Sequence, residues 1–143
     1  MIIVVDNLPE KKHVIDYERW TGGEMEYTGE AIGFTYNGKW YSLLYTRAGM
    51  YRGNHIHKVE QTSILMDGKA KYVFKEKGRN VEYILTKGKP LHVPAGVPHI
   101  LLPETDILTV EWWEGPFDAE EYDFPEYMDE VRKRLEAAKK ADR

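Results

Sequence analysis

The chain has no cysteine, which removes disulfides, thiolate metal sites and cysteine nucleophiles together. Any metal must therefore be held by histidine, carboxylate or amide groups. Long apolar runs are missing as well. The start, MIIVVDNLPEKK, has only the short run Ile2 to Val5 before it turns acidic, which is neither a signal peptide nor a membrane span. A cytoplasmic protein is expected. Basic clusters are also lacking: the formal net charge is −4, and the stretch from Glu111 to Glu130 holds nine acidic residues and no Lys or Arg. Such a surface repels phosphate backbones, so nucleic acid is not expected as a partner. No nucleophile elbow and no glycine-rich phosphate loop leading into a helix occurs, which sets hydrolase and P-loop chemistry aside.

What is present fits a single domain. A length of 143 residues allows one real core and is short for two, so one domain over 1–143 with one site is expected. From Ile2 to about Val110 the chain runs in short apolar or alternating stretches separated by turn residues, an all-β pattern with the strand spacing of a sandwich or barrel. Asn37-Gly38 and Asp67-Gly68 each sit between two such stretches and favour the positive φ of a two-residue hairpin turn. KEKGRN, LTKGKP and VPAGVP mark further turns. After Pro125 the pattern changes: Met128, Val131 and Leu135 recur at helical spacing among good helix formers, which predicts one C-terminal helix over about 126–141.

The chemistry concentrates in RGNHIHKVEQ, Arg52 to Gln61. On a strand His55 and His57 share one face, roughly 7 Å apart along the chain, close enough for both imidazoles to reach one ion. By parity Gln61 shares that face and Glu60 takes the other, unless a bulge breaks the register. His99 follows a proline-bounded turn and joins the pair only in a closed β architecture. His13 and His92 fit no motif and are read as structural. The aromatics Trp40, Tyr41, Tyr45, Tyr72, Phe74, Tyr83, Trp112 and Trp113 are read mainly as core and sheet packing, with one or two at the mouth of the barrel.

The wider spacing carries a resemblance. Gly49 is followed after five residues by His55, then His57, then Gln61 after three and Gly68 after six. Later, Gly88 is followed after five by Pro94, then Gly96, then His99 after two. Over about 49–103 this resembles the two-part pattern of the cupin superfamily. The resemblance implies a double-stranded β-helix, a jelly-roll-like barrel whose mouth holds a divalent cation on His55, His57 and His99. Two positions depart from the pattern: the family's glutamate is Gln61, with Glu60 one residue early, and its closing asparagine is Pro103. Gln61 or Glu60 is the fourth ligand, and Gln61 could instead bond a ligand histidine. Zinc is the expected ion, with iron, nickel or manganese as alternatives.

RGNHIHKVEQTSILMDGKA with VPAGVPHIL is also similar to cupins that act on sugar nucleotides. It resembles the dTDP-4-keto-6-deoxyhexose ketoisomerases in Arg52, Gly53, His55, His57, Lys58 and Gln61. It resembles the cupin domain of capsular-polysaccharide epimerase/reductases in RGNHIH and in WWEGPFD, Trp112 to Asp118. These likenesses imply isomerisation or epimerisation of a small carbonyl substrate such as a nucleotide-linked sugar. His55 and His57 would carry protons, a metal would polarise the carbonyl, and Arg52 would pair with a diphosphate. Oxygen-dependent cleavage on a three-histidine Fe(II) site, or a non-enzymatic small-molecule or metal-binding module, are the alternatives. A homodimer is expected by analogy with small barrels that pair their strand edges.

Overall fold

The structure is a computed structural model that describes residues 1–5, 13–20 and 24–142. The side chain of His13 lies outside the described residues. Strands β1 (Ile2–Val5), β2 (His13–Trp20), β3 (Gly29–Tyr36), β4 (Lys39–Thr46), β5 (Arg52–Ile56), β6 (Gln61–Asp67), β7 (Ala70–Glu76), β8 (Arg79–Ile84), β9 (Pro90–Val93), β10 (His99–Pro103), β11 (Ile107–Trp113) and β12 (Glu120–Glu121) follow the chain, with a short helix α1 (Met25–Thr28) and a long one, α2 (Pro125–Ala141). They form two sheets, ordered β1-β2-β3-β4-β11-β6-β9 and β12-β5-β10-β7-β8. All pairings are antiparallel.

Alternation decides which residues face the space between the sheets. In β11 the residues Ile107, Thr109, Glu111 and Trp113 are buried while Leu108, Val110 and Trp112 are only half-buried, the period of two that a pleated strand imposes. Leu65, Tyr72, Phe74, Val93, Leu101 and Ile107 close one end of the interior as a continuous apolar cluster. Fully burying each such aliphatic side chain contributes about 1.5–3 kcal/mol. Val73 and Ile100 point the other way from the same strands and meet Met128, Val131 and Leu135 of α2. The helix thus covers the outer face of the five-stranded sheet, with Pro125 in its first turn, where the missing N–H costs nothing.

Asn37 and Gly38 (φ 48° and 84°) join β3 to β4 as a two-residue hairpin, with Tyr36 opposite Lys39. Lys77 and Gly78 do the same for β7 and β8. Asp67-Gly68 departs from expectation. β6 lies between β11 and β9, and β7 between β10 and β8, so this turn carries the chain from one sheet to the other. Its glycine is still required, since at φ 90° an added Cβ would stand 2.3 Å from the Asp106 carbonyl oxygen.

Candidate metal centre

The RGNHIH stretch is shaped by two successive residues with positive φ, Gly53 (84°) and Asn54 (65°), where β5 slips register against β10. A Cβ on Gly53 would meet the His99 carbonyl at 3.0 Å. Asn54 tolerates the left-handed region because its side chain bonds locally: Nδ2 donates to Asp123 Oδ1 (3.1 Å), and Oδ1 accepts from the Phe124 N–H (2.9 Å). The bulge leaves His55 directly opposite His99, with His57 just past the strand end. The three rings stand 4.2, 4.8 and 5.0 Å apart, centroid to centroid. One ring nitrogen from each lies within 4.8 Å of the others.

The hydrogen bonds fix how these rings present themselves. His99 Nδ1 donates to the Val97 carbonyl (3.0 Å), and His57 Nδ1 donates to the Asp118 carbonyl. A carbonyl only accepts, so each Nδ1 carries the proton and each Nε2 keeps its lone pair. Both Nε2 atoms are buried without a hydrogen-bond partner. Two buried, unpartnered lone pairs beside a third histidine fit a metal ion, and the carbonyls behind them are the outer partners that orient ligating imidazoles. Burial, with the neighbouring imidazoles, lowers His55 to about 3. Burial likewise lowers His99 to about 4 and depresses His57. All three are neutral at physiological pH, as ligands must be.

Gln61 is 2 % exposed and lies in the same cavity wall. Its Oε1 accepts from Trp113 Nε1 (3.1 Å), while its Nε2 donates to Ser63 Oγ and the Tyr72 hydroxyl. Glu60 is on the opposite face, paired with His92 Nδ1 at 3.2 Å, and does not meet the three histidines. Arg52 differs from its expected role. Nε donates to Thr46 Oγ1, Nη1 to Thr28 Oγ1 and Met25 Sδ, and Nη2 to the Tyr45 and Glu30 carbonyls. Its five N–H donors are thus directed at protein acceptors, and it fastens β5 to β3, β4 and α1 instead of offering a free fork to a diphosphate. Burial lowers Arg52 to about 10.

A cavity of about 240 Å³ runs from His55 and His99 to Ser42, Tyr72, Glu111 and Trp113. Glu111 is absent from the sequence-level site. Only its inward parity on β11, a charge where the alternation demands a core residue, could have singled it out. Burial raises its carboxyl, opposed by the Tyr72 hydroxyl bond and by Arg52. Phe117 packs at the cavity with its ring 5.4 Å from His57, and Trp113 at 5.6 Å, so WWEGPFD covers His57 with both rings and a carbonyl.

Two layered β-sheets with three inward histidines at one end define a cupin fold with a site able to hold a metal ion. Among solved structures the chain is similar to CapF, a capsular polysaccharide assembling protein from Staphylococcus aureus (19 % identity, TM-score 0.61, covering 76 % of this chain and 32 % of that one). It is also similar to the DMSP lyase DddQ from Ruegeria pomeroyi (18 %, 0.55, 71 % and 54 %) and to hazelnut vicilin from Corylus avellana (13 %, 0.59, 73 % and 33 %). The chain spans about a third of the CapF chains it matches. No family model and no curated protein matches it. Among the described residues no helix is long and apolar enough to cross a membrane.

Proposed function

We propose that this chain is a metal-dependent cupin that isomerises or epimerises a small carbonyl substrate, with a nucleotide-linked sugar as the substrate class. The observation that carries the metal is the pair of buried, unpartnered Nε2 atoms of His57 and His99 beside His55. In this reading His55, His57, His99 and the Gln61 amide oxygen hold a divalent ion, zinc first. Bound there, the ion would polarise a carbonyl of the substrate. His55 and His57 are the groups that would carry the proton between neighbouring carbons where no ion holds their lone pairs.

The cavity, at about 240 Å³, is below the roughly 300–1,000 Å³ of pockets for drug-sized ligands. It suits the reacting part of a sugar, with any nucleotide lying outside the mouth. The shared fold with CapF, named for capsular polysaccharide assembly, supports a sugar substrate. A cytoplasmic location and a homodimer belong to the same proposal, the dimer supported by the exposed apolar strand β1 at the end of its sheet among the described residues.

The test is elemental analysis of protein purified without chelator or added metal, beside the His57→Ala variant. Stoichiometric metal in the parent and its loss in the variant is the expected result. Zinc fits the epimerase-like reading; iron together with oxygen uptake would move the assignment to an oxygenase. No metal in either protein, and none taken up on titration, overturns the metal centre.

A further inference from the structure

Behind the histidines the cavity wall carries connected polar side chains. Gln61, Ser63, Tyr72 and Glu111 come from three strands, and none is more than 6 % exposed. The direction of the hydrogen bonds is fixed from one end. Trp113 Nε1 can only donate, so the atom it meets at 3.1 Å is the Gln61 oxygen. Gln61 Nε2 then donates to Ser63 Oγ (2.9 Å) and to the Tyr72 hydroxyl (3.0 Å). Ser63 Oγ and the Tyr72 hydroxyl are 2.8 Å apart, and the Tyr72 hydroxyl donates to Glu111 Oε1 at 2.9 Å. Every donor in the chain therefore points toward one buried carboxylate. Gln61 lines the same cavity as His55 and His99.

We infer that Glu111 is the counter-charge for a divalent metal held by the three histidines and the Gln61 amide oxygen, acting on it through the Tyr72 hydroxyl and the Gln61 amide. The inference rests on the metal reading proposed above. Three neutral imidazoles and a neutral amide leave both positive charges of the ion uncompensated beside the buried His57 and His99, where an unbalanced charge is costly. An amide N–H that donates to a hydroxyl, itself donating to a carboxylate, polarises the amide and loads negative charge onto its oxygen. Arg52 also faces Glu111 electrostatically, but its N–H donors are directed at carbonyls, hydroxyls and a thioether. Glu111 is accordingly a positioning residue, two hydrogen bonds removed from the ion.

The experiment measures zinc affinity at fixed pH, by competition with a chromophoric chelator, for the parent chain, Glu111→Gln, Tyr72→Phe and the double variant. Glutamine at 111 can still accept the Tyr72 hydroxyl bond, so a merely structural role would survive it, whereas the charge would not. We expect each single variant to bind zinc some ten- to a hundredfold more weakly, the usual cost of losing an outer-sphere partner. The double variant should bind no more weakly than the worse single one, because both act along one path. Parental affinity in folded Glu111→Gln or in folded Tyr72→Phe overturns the inference while leaving the metal centre standing. Failure of the parent chain itself to bind zinc or another divalent ion overturns the metal reading and this inference with it.

Discussion

His55 and His99 couple protonation to folding. Unfolded, each titrates near 6.5; folded, burial lowers them to about 3 and about 4. Between those values the unfolded chain binds protons that the folded chain refuses, so stability is full above about pH 6.5 and declines as pH falls toward 4. Glu111, raised by burial, works with the opposite sign, which makes a variant comparison necessary. Thermal melting of chelated protein from pH 7.5 down to 4.5 should show the decline, and His99→Gln should melt with a shallower dependence. Parallel curves would remove this account of the buried imidazoles. At this scale the sequence was informative where a side chain's role follows from spacing. His55, His57 and His99 do converge, and parity does separate Gln61 from Glu60. Arg52 and Glu111 were not legible, because their roles depend on neighbours brought from β3, β4, β7 and α1.

Elements divide the molecule into a face that makes the site and a face that holds it. In β10, His99 and Leu101 point into the barrel, and Ile100 points out against α2. Leu135, 2 % exposed, packs on that outer layer, so Leu135→Ala should cost about 2–5 kcal/mol in denaturant unfolding, as truncating a buried leucine does. The folded fraction should bind zinc with parental affinity, since the helix lies across the sheet from the histidines. A large loss of affinity in folded Leu135→Ala would show that α2 shapes the site and does more than cover it. The helix was readable from Met128, Val131 and Leu135 because a helical period is local. The same holds for the Asn37-Gly38 hairpin. Asp67-Gly68 misled because its positive φ serves a hairpin and a crossover between sheets equally well, and only the pairing of β6 with β9 and β11 distinguishes them.

On the scale of the whole molecule the seven-stranded sheet ends in β1, which among the described residues pairs on one side only, with β2. Its Ile2, Ile3 and Val4 are 67, 41 and 48 % exposed. An apolar strand with an unpaired row of backbone donors and acceptors is a template for another strand, and a second copy of the chain can meet it by twofold symmetry with the same edge. Sedimentation velocity at micromolar concentration should therefore give twice the chain mass. Ile3→Lys, which places a charge where natural edges carry one to prevent pairing, should sediment as the single chain. β2, β3 and β4 stand between this edge and β11, so the variant should keep its zinc affinity. A parent chain that sediments as a monomer would remove the dimer. A variant that remains dimeric would move the interface elsewhere, and one that loses zinc on dissociating would mean that the pairing of chains reaches the metal centre.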